Sequence, residues 1–224
     1  MKKYAIFDMD GTLIDSMGYW NRVGKEYLES RGKNPADAQL SSLETMTLKD
    51  SARYFINDFG VSGTAEEVME GILSHMKDHY RLDIPAKTGI EKYLEALEDR
   101  DVRMCVATAS DEDLASQCLA RLGILEYFDF VVSCERVGKS KTEPDIYDLA
   151  RRLLSEKAGY EIAAEEVAIY EDALFCARTA KAAGYYTIGM YDESYADRYD
   201  ELSALADESY RSWPEAGKAL ILHP

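Results

Sequence analysis

One short stretch constrains this chain more than any other: Tyr4-Ala5-Ile6-Phe7-Asp8-Met9-Asp10-Gly11-Thr12-Leu13. An apolar run of strand-forming residues stops at two carboxylates, and a glycine then turns the chain. A continuous apolar run of this length reads as a parallel-sheet strand covered on both faces. Open α/β sheets place their chemistry at the carboxyl ends of such strands. Asp8 and Asp10 are two residues apart, so in a continuing strand both point to one side. Close carboxylates repel unless one is protonated or a cation sits between them. Mg²⁺ answers that need, since it takes one or two carboxylates together with phosphate oxygens of a substrate. The structural alternative is a strand followed by an Asp-Gly turn.

The rest of the chain alternates strand and helix with one interruption. After Asp15-Ser16 the period becomes helical: Trp20, Val23, Tyr27 and Leu28 share a face that ends near Gly32. Thr47-x-x-Asp50 starts a second helix carrying Leu48, Ala52, Phe55, Ile56 and Phe59, and Thr64-x-x-Glu67 starts a third carrying Val68, Ile72 and Met76. From Pro85 the alternation resumes. Helices are expected around Ile90–Leu97, from a Ser110-x-x-Asp113 cap to Gly123, from Pro144, and through Ala183. Strands are expected at Val102–Ala107, Phe128–Ser133, Val167–Tyr170 and Tyr185–Met190, with a weak sixth at Ser209–Arg211. The pattern predicts an α/β fold: a doubly wound, Rossmann-like parallel sheet with a small all-helical domain inserted after the first strand. The sheet domain takes residues 1–14 and 86–224, and the insertion takes 15–85.

Charge narrows the function. The chain of 224 residues carries 26 basic and 42 acidic side chains, a net charge of −16. Nucleic acids and anionic membranes recruit basic faces, so neither is expected as a partner. A phosphorylated ligand then needs a locally positive site, made by a metal and a lysine. Cys105, Cys118, Cys134 and Cys176 show no Cys-x-x-Cys spacing and read as free thiols. No apolar run reaches membrane-spanning length, and the first strand starts too early for a signal peptide. The expectation is a cytoplasmic monomer that acts on a small phosphorylated metabolite.

The stretch Asp8-Met9-Asp10-Gly11-Thr12 resembles the first motif of the haloacid dehalogenase (HAD) superfamily of phosphotransferases. The resemblance implies Asp8 as nucleophile, Asp10 as general acid/base, and the Asp10 carbonyl as a metal ligand. Three further segments follow the same pattern in order. Thr108-Ala109 ends the second strand and looks like the second motif, with the Thr108 hydroxyl and the Ala109 backbone N–H directed at a phosphoryl group; as a local feature, a threonine there is a helix cap. Lys141 lies in Lys141-Thr142-Glu143-Pro144-Asp145-Ile146-Tyr147, similar to the family's Lys-Pro-x-Pro-Asp-Ile-Tyr, with Thr142 replacing the first proline. The Pro144-Asp145 register selects Lys141 over Lys139 as the fixed cation.

Glu171-Asp172 resembles the fourth motif, which completes the metal site, with Asp172 coordinating directly and Glu171 directly or through water. Ala173 and Cys176 depart from the family's usual Ser and Gly. The helical insertion matches the family's small cap. The substrate contacts implied are Gly11, Ala109 and Ser16, with Trp20, Lys49 and Arg53 from the cap; for the cap residues a surface or packing role stands equally open.

The resemblance to the β-phosphoglucomutase-like and phosphoglycolate-phosphatase-like branch implies a Mg²⁺-dependent phosphatase working through an aspartyl-phosphate. The substrate is a sugar phosphate, a phosphoglycolate-like ester or a nucleotide. A phosphosugar mutase is the nearest rival, and Trp20 stands where that branch carries a gating histidine. A non-catalytic binding module is the rival of a different class. His75 and His79 could share one helix face as ligands, but a solvated surface is the simpler reading.

Overall fold

The computed structural model describes residues 2–36, 46 and 48–222. Thr47, the expected cap of the second helix, and His223 lie outside the described residues. Contacts divide the chain into two units, Met1–Asp15 with Pro85–Pro224 and Ser16–Ile84.

The larger unit is built on a six-stranded sheet: β1 (Tyr4–Phe7), β2 (Arg103–Thr108), β3 (Val131–Ser133), β4 (Val167–Glu171), β5 (Tyr186–Met190) and β6 (Glu208–Tyr210). The spatial order is β3-β2-β1-β4-β5-β6 and every pairing is parallel. β1 therefore sits in the middle, with Phe7 opposite both Val106 and Tyr170. This is the Rossmann-like α/β architecture that the alternation predicts. The helices numbered in chain order are α1 (Met17–Ser30), α2 (Leu48–Phe59), α3 (Ala65–Leu82), α4 (Ile90–Glu98), α5 (Glu112–Arg121), α6 (Asp145–Ala158), α7 (Leu174–Ala182), α8 (Tyr199–Leu205) and α9 (Trp213–Leu222).

Alternation along β1 splits the core into two layers. Tyr4 and Ile6 join Cys105, Ala107 and Ile169 under Ile146, Tyr147, Ala150 and Leu154 of α6. Phe7 points the other way and stacks on Tyr170, ring centroids 4.3 Å apart, with Trp213 and Tyr93 completing an aromatic layer below α4 and α9. Each fully buried side chain of this size contributes about 1.5–3 kcal/mol, so both faces of the central strand are fixed by burial.

Local signals explain most boundaries. Gly89 precedes α4 at φ 87° and Gly159 follows α6 at φ 78°, conformations that a side chain would strain. The α5 cap differs from expectation: Asp111, not Ser110, accepts the Leu114 N–H at 2.8 Å, which leaves the Ser110 hydroxyl for another partner. The third strand is also shorter than the apolar run, because Leu125–Tyr127 forms a 3₁₀ turn and pairing begins only near Phe130.

The smaller unit holds α1, α2 and α3. Thr64 caps α3 by a capping box: its hydroxyl accepts the Glu67 N–H and Glu67 returns the bond to the Thr64 N–H. Val23, Tyr27 and Leu28 of α1 are buried, as are Ala52 and Phe55 of α2 and Val68, Ile72, Met76 and Tyr80 of α3. Gly71 is small for a reason, since a Cβ there would lie 2.4 Å from the Tyr27 ring. The two histidines of α3 are not a solvated surface. His79 bonds Glu26 at 2.5 Å and Asp83 at 2.9 Å, and His75 bonds Ser30 at 3.2 Å; a long helix brings them beside α1, which sequence periodicity does not show.

Candidate active site

β1 ends at Phe7, so Asp8 and Asp10 do not continue a strand. The expectation that both carboxylates share one strand face is corrected by a tight turn. The Leu13 and Ile14 N–H groups both donate to the Met9 carbonyl, and the Gly11 N–H donates to Ile14 O. Gly11 adopts φ 84° there. The Asp8 N–H still donates to Tyr170 O at 3.0 Å, which holds its side chain at the sheet's carboxyl edge. Trp213, far along the chain, donates its indole N–H to Thr12 O at 3.1 Å and pins the same turn.

Asp8, Glu171 and Asp172 converge, with one oxygen of each lying within 4.8 Å of the others, and all three are buried. Lys141 is also buried and is the cation among them. Its ammonium donates to Asp8 Oδ1 and, at 2.8 Å, to Glu171 Oε1. Glu171 Oε1 takes a second proton from Tyr147 OH at 2.7 Å. Thr12 reaches Asp172 Oδ1 at a long 3.4 Å, while Asp172 Oδ2 is buried with no hydrogen-bond partner among the described residues. Lys139 stays outside, exposed and 2.9 Å from Asp145.

Asp10 is only partly buried and is not one of the three converging residues, though its charge is felt at Asp8. Ser110 donates its hydroxyl to Asp10 Oδ2 at 2.8 Å. Thr108, fully buried at the end of β2, accepts the Ser110 N–H at 3.0 Å, and Ala109 between them is exposed. Sequence reasoning took Ser110 for a helix cap and gave Tyr147 no role. The Asp-Ile-Tyr run held the only signal for the tyrosine, and nothing local marked the serine.

The electrostatics follow from crowding. Burial raises the Asp8 carboxyl to about 7, with Lys141 pulling it down and Glu171 and Asp10 pushing it up again. Burial, then Asp8 and Glu171, raises Asp172 well above the usual carboxylate range. Lys141 loses affinity for its proton through burial but gains more from Asp8 and Glu171, and stays charged. Cys176, buried beside the cluster, is pushed up by burial and by Glu171; its thiol is inert as a nucleophile.

A divalent cation fits this donor set. Three carboxylates face one ammonium in a buried space, an imbalance that raises Asp8 and Asp172 and that a cation would relieve, and among the described residues Asp172 Oδ2 is an acceptor lacking a partner. The donors are all oxygen, the preference of a hard ion such as Mg²⁺.

Of the other expected contacts, Gly11 and Ala109 lie in this sheet unit, at the turn after β1 and after β2. Ser16, Trp20, Lys49 and Arg53 belong to the helical unit. There Ser16 is buried at the start of α1, Trp20 is half-buried, Lys49 is exposed, and Arg53 lies 3.6 Å from Asp50.

A Rossmann-like α/β protein with a buried carboxylate cluster that could hold a cation at the carboxyl edge of its sheet is the class that fold and site define. The chain belongs to the haloacid dehalogenase-like hydrolase family, whose pattern matches residues 5–190. It is 25% identical over 222 residues to the validoxylamine A 7'-phosphate phosphatase of Streptomyces hygroscopicus subsp. limoneus, covering 97% of this chain and 99% of that one. It is 26% identical over 199 residues to the phosphoglycolate phosphatase of Rhodobacter capsulatus, covering 87% and 86%. A Thermotoga maritima structure described as a candidate beta-phosphoglucomutase superposes with TM-score 0.79 at 21% identity, covering 97% and 98%; that likeness is one of fold.

Among the described residues, no helix is long and apolar enough to cross a membrane.

Proposed function

We propose that the protein is a phosphatase that hydrolyses a small phosphate monoester through phosphorylation of Asp8. The observation that carries this reading is the buried convergence of Asp8, Glu171 and Asp172 around Lys141, with one Asp172 oxygen left unpartnered. The relatives named above are both phosphatases, and their two substrates differ, so the identity of the ester is not carried over with the family.

Asp8, Asp172 and the Asp10 carbonyl would hold Mg²⁺, with Glu171 behind them, and the ion supplies charge neutralisation for the phosphate. The chain's own groups do the rest. Lys141 draws the Asp8 carboxyl back toward its ionised form, orients it and faces the incoming phosphoryl oxygens. Asp8 attacks phosphorus, and the ester oxygen leaves with a proton from Asp10. Water then attacks the aspartyl-phosphate, Asp10 takes the water's proton, and inorganic phosphate departs with Asp8 restored. Ser110 orients Asp10 by the bond it donates to Oδ2. The Thr108 hydroxyl accepts from Ser110 N, which leaves its own proton for a phosphoryl oxygen, joined by the Ala109 N–H; the Gly11 N–H is committed to Ile14 O, and Gly11 contributes the turn that lets the substrate approach. Phosphoryl transfer needs little else, since positioning and charge supply most of the rate. The helical unit is read as the cap that sets specificity, with Ser16, Trp20, Lys49 and Arg53 as substrate contacts.

The mutase is the second reading, favoured by the fold shared with the Thermotoga maritima protein. A mutase must shield its aspartyl-phosphate from water until a second hydroxyl arrives. An indole at Trp20 cannot shuttle a proton, which favours hydrolysis.

One experiment decides between the readings. Purified protein with Mg²⁺ is offered a panel of sugar phosphates, phosphoglycolate and nucleotides. β-Glucose 1-phosphate is included with and without a bisphosphate primer. Release of inorganic phosphate without a primer is expected. Primer-dependent conversion to glucose 6-phosphate with little phosphate released would replace the phosphatase by the mutase, and no turnover of any ester would replace both by the binding module.

A further inference from the structure

A cavity lies along the face of the sheet that α4 and α9 border. It has a volume of about 570 Å³ and is bordered by Lys2, Tyr93, Tyr170, Tyr186, Glu208 and Tyr210, with aliphatic walls from the sheet, α4 and α9. That volume falls within the range of small-molecule sites, roughly 300–1,000 Å³. All of these residues belong to the sheet unit. Tyr170 borders the cavity, whereas the next residue, Glu171, alternates to the other face and bonds Tyr147 and Lys141, so this space is separate from the carboxylate cluster.

Its hydrogen bonds decide what it can take. Tyr186 donates its phenol proton to Glu208 Oε1 at 2.6 Å, and Tyr210 donates to Glu208 Oε2. Tyr93 and Tyr170 bond each other at 2.8 Å, which uses one of their two protons. Burial pushes Tyr93 up to about 12, so these groups stay protonated phenols at neutral pH. Three of four phenol protons are thus committed, whereas both Glu208 oxygens keep lone pairs to spare. The wall therefore offers acceptors, one full negative charge and aromatic faces.

A ligand matched to that wall donates hydrogen bonds, carries positive charge and has an apolar body. Aromatic faces attract cations through the ring quadrupole. The molecule already displays the contact: the Lys2 ammonium sits 4.8 Å from the centroid of the Tyr186 ring.

We propose that this tyrosine-lined cavity binds an organic ammonium cation with an apolar body, anchored on Glu208 and displacing Lys2 from the Tyr186 ring. Two phenols hold the Glu208 carboxylate in place, so little side-chain freedom is lost when the ammonium binds. Lys2 is the competitor already present, so its removal strengthens binding.

The test is calorimetric titration of the Mg²⁺-loaded protein with phenethylammonium, and with 2-phenylethanol as the uncharged counterpart. Magnesium keeps the probe from the other anionic site. The cation is expected to bind at least tenfold tighter than the alcohol, a preference lost in Glu208→Gln. Lys2→Met is expected to bind the cation several-fold tighter than wild type. Glu208 is exposed and its amide preserves shape; unchanged phosphate release by Glu208→Gln verifies that the variant is folded. Equal affinity for cation and alcohol, no binding of either, or a cation preference that survives Glu208→Gln would each overturn the proposal.

Discussion

Replacing Asp8 by Asn separates chemistry from folding in this site. An amide of nearly the same shape keeps an acceptor for the Lys141 ammonium but has no carboxylate to attack phosphorus. The stability effect has two opposing parts. The carboxylate oxygens of Asp8, Glu171 and Asp172 lie within 4.8 Å of one another. At an effective dielectric constant of 20, two charges at that separation repel by about 3.5 kcal/mol. The substitution removes this repulsion from Asp8 toward both neighbours. It also removes the attraction to Lys141, which is closer than either carboxylate, and weakens a charge-assisted hydrogen bond that contributes about 1.5–3 kcal/mol. The parts nearly cancel, so in chelator the unfolding free energy is expected to shift by no more than about 2 kcal/mol.

Activity behaves differently: a loss of at least about 10³-fold is expected, equivalent to about 4 kcal/mol of barrier. The pH dependence of the metal-free protein supplies a further check. Because the Asp8 carboxyl is raised from 3.8 to about 7 in the folded state, the folded protein holds a proton that the unfolded chain has already released in that window. Stability contributed by that proton is complete below 3.8 and falls as pH rises toward 7; Asp8→Asn should flatten that slope. The assays are phosphate release with saturating Mg²⁺ and denaturant unfolding in chelator across pH. Retention of a tenth or more of wild-type activity refutes Asp8 as nucleophile. A metal-free loss well above 3 kcal/mol refutes the balance of charges.

Four further outcomes are expected. Lys141→Ala leaves buried carboxylates without their cation and should cost about 3–5 kcal/mol of stability as well as activity, read by denaturant titration against wild type. Chelation should abolish phosphate release, with Mg²⁺ restoring it and Ca²⁺ restoring it poorly, since Ca²⁺ takes more ligands at longer distances; equal rates with both ions would count against the site. Gly71→Ala gains helix propensity of about 1 kcal/mol, but its Cβ would meet the Tyr27 ring at 2.4 Å. Overpacking costs about 1–3 kcal/mol, so a net loss of up to about 2 kcal/mol remains after that gain, measurable by thermal unfolding. For His79, burial lowers the imidazole's proton affinity, but Glu26 and Asp83 outweigh it and the pKa is raised above 6.5. Stability from this group is complete below 6.5 and is lost as pH rises through the raised value; a pH-resolved comparison with His79→Gln should show that slope vanish.

The sequence by itself determined the parallel sheet and its chemistry-bearing edge. Burial on both faces forces a parallel strand to read as a continuous apolar run, and Tyr4–Phe7, Met104–Ala107 and Val167–Tyr170 all do. Each of those runs ends in polar residues, and the resemblance to the family's motifs is what singled out Asp8, Thr108, Glu171 and Asp172 among them; by local pattern alone Thr108 reads as a helix cap. Lys141 was legible through the Pro144-Asp145 register beside it.

Only the tertiary structure decided who bonds whom. The turn after β1, in which the Met9 carbonyl gathers two N–H groups, brings Asp10 to the Ser110 hydroxyl. Trp213 reaches back across the fold to Thr12, and Tyr147 turns from a helix face to Glu171. His79 finds Glu26 on another helix. Such pairs join residues tens to hundreds of positions apart, and neither propensity nor periodicity carries information over that separation. The cavity around Glu208 has the same origin. Its tyrosines come from one helix and three strands that meet only when the sheet is assembled.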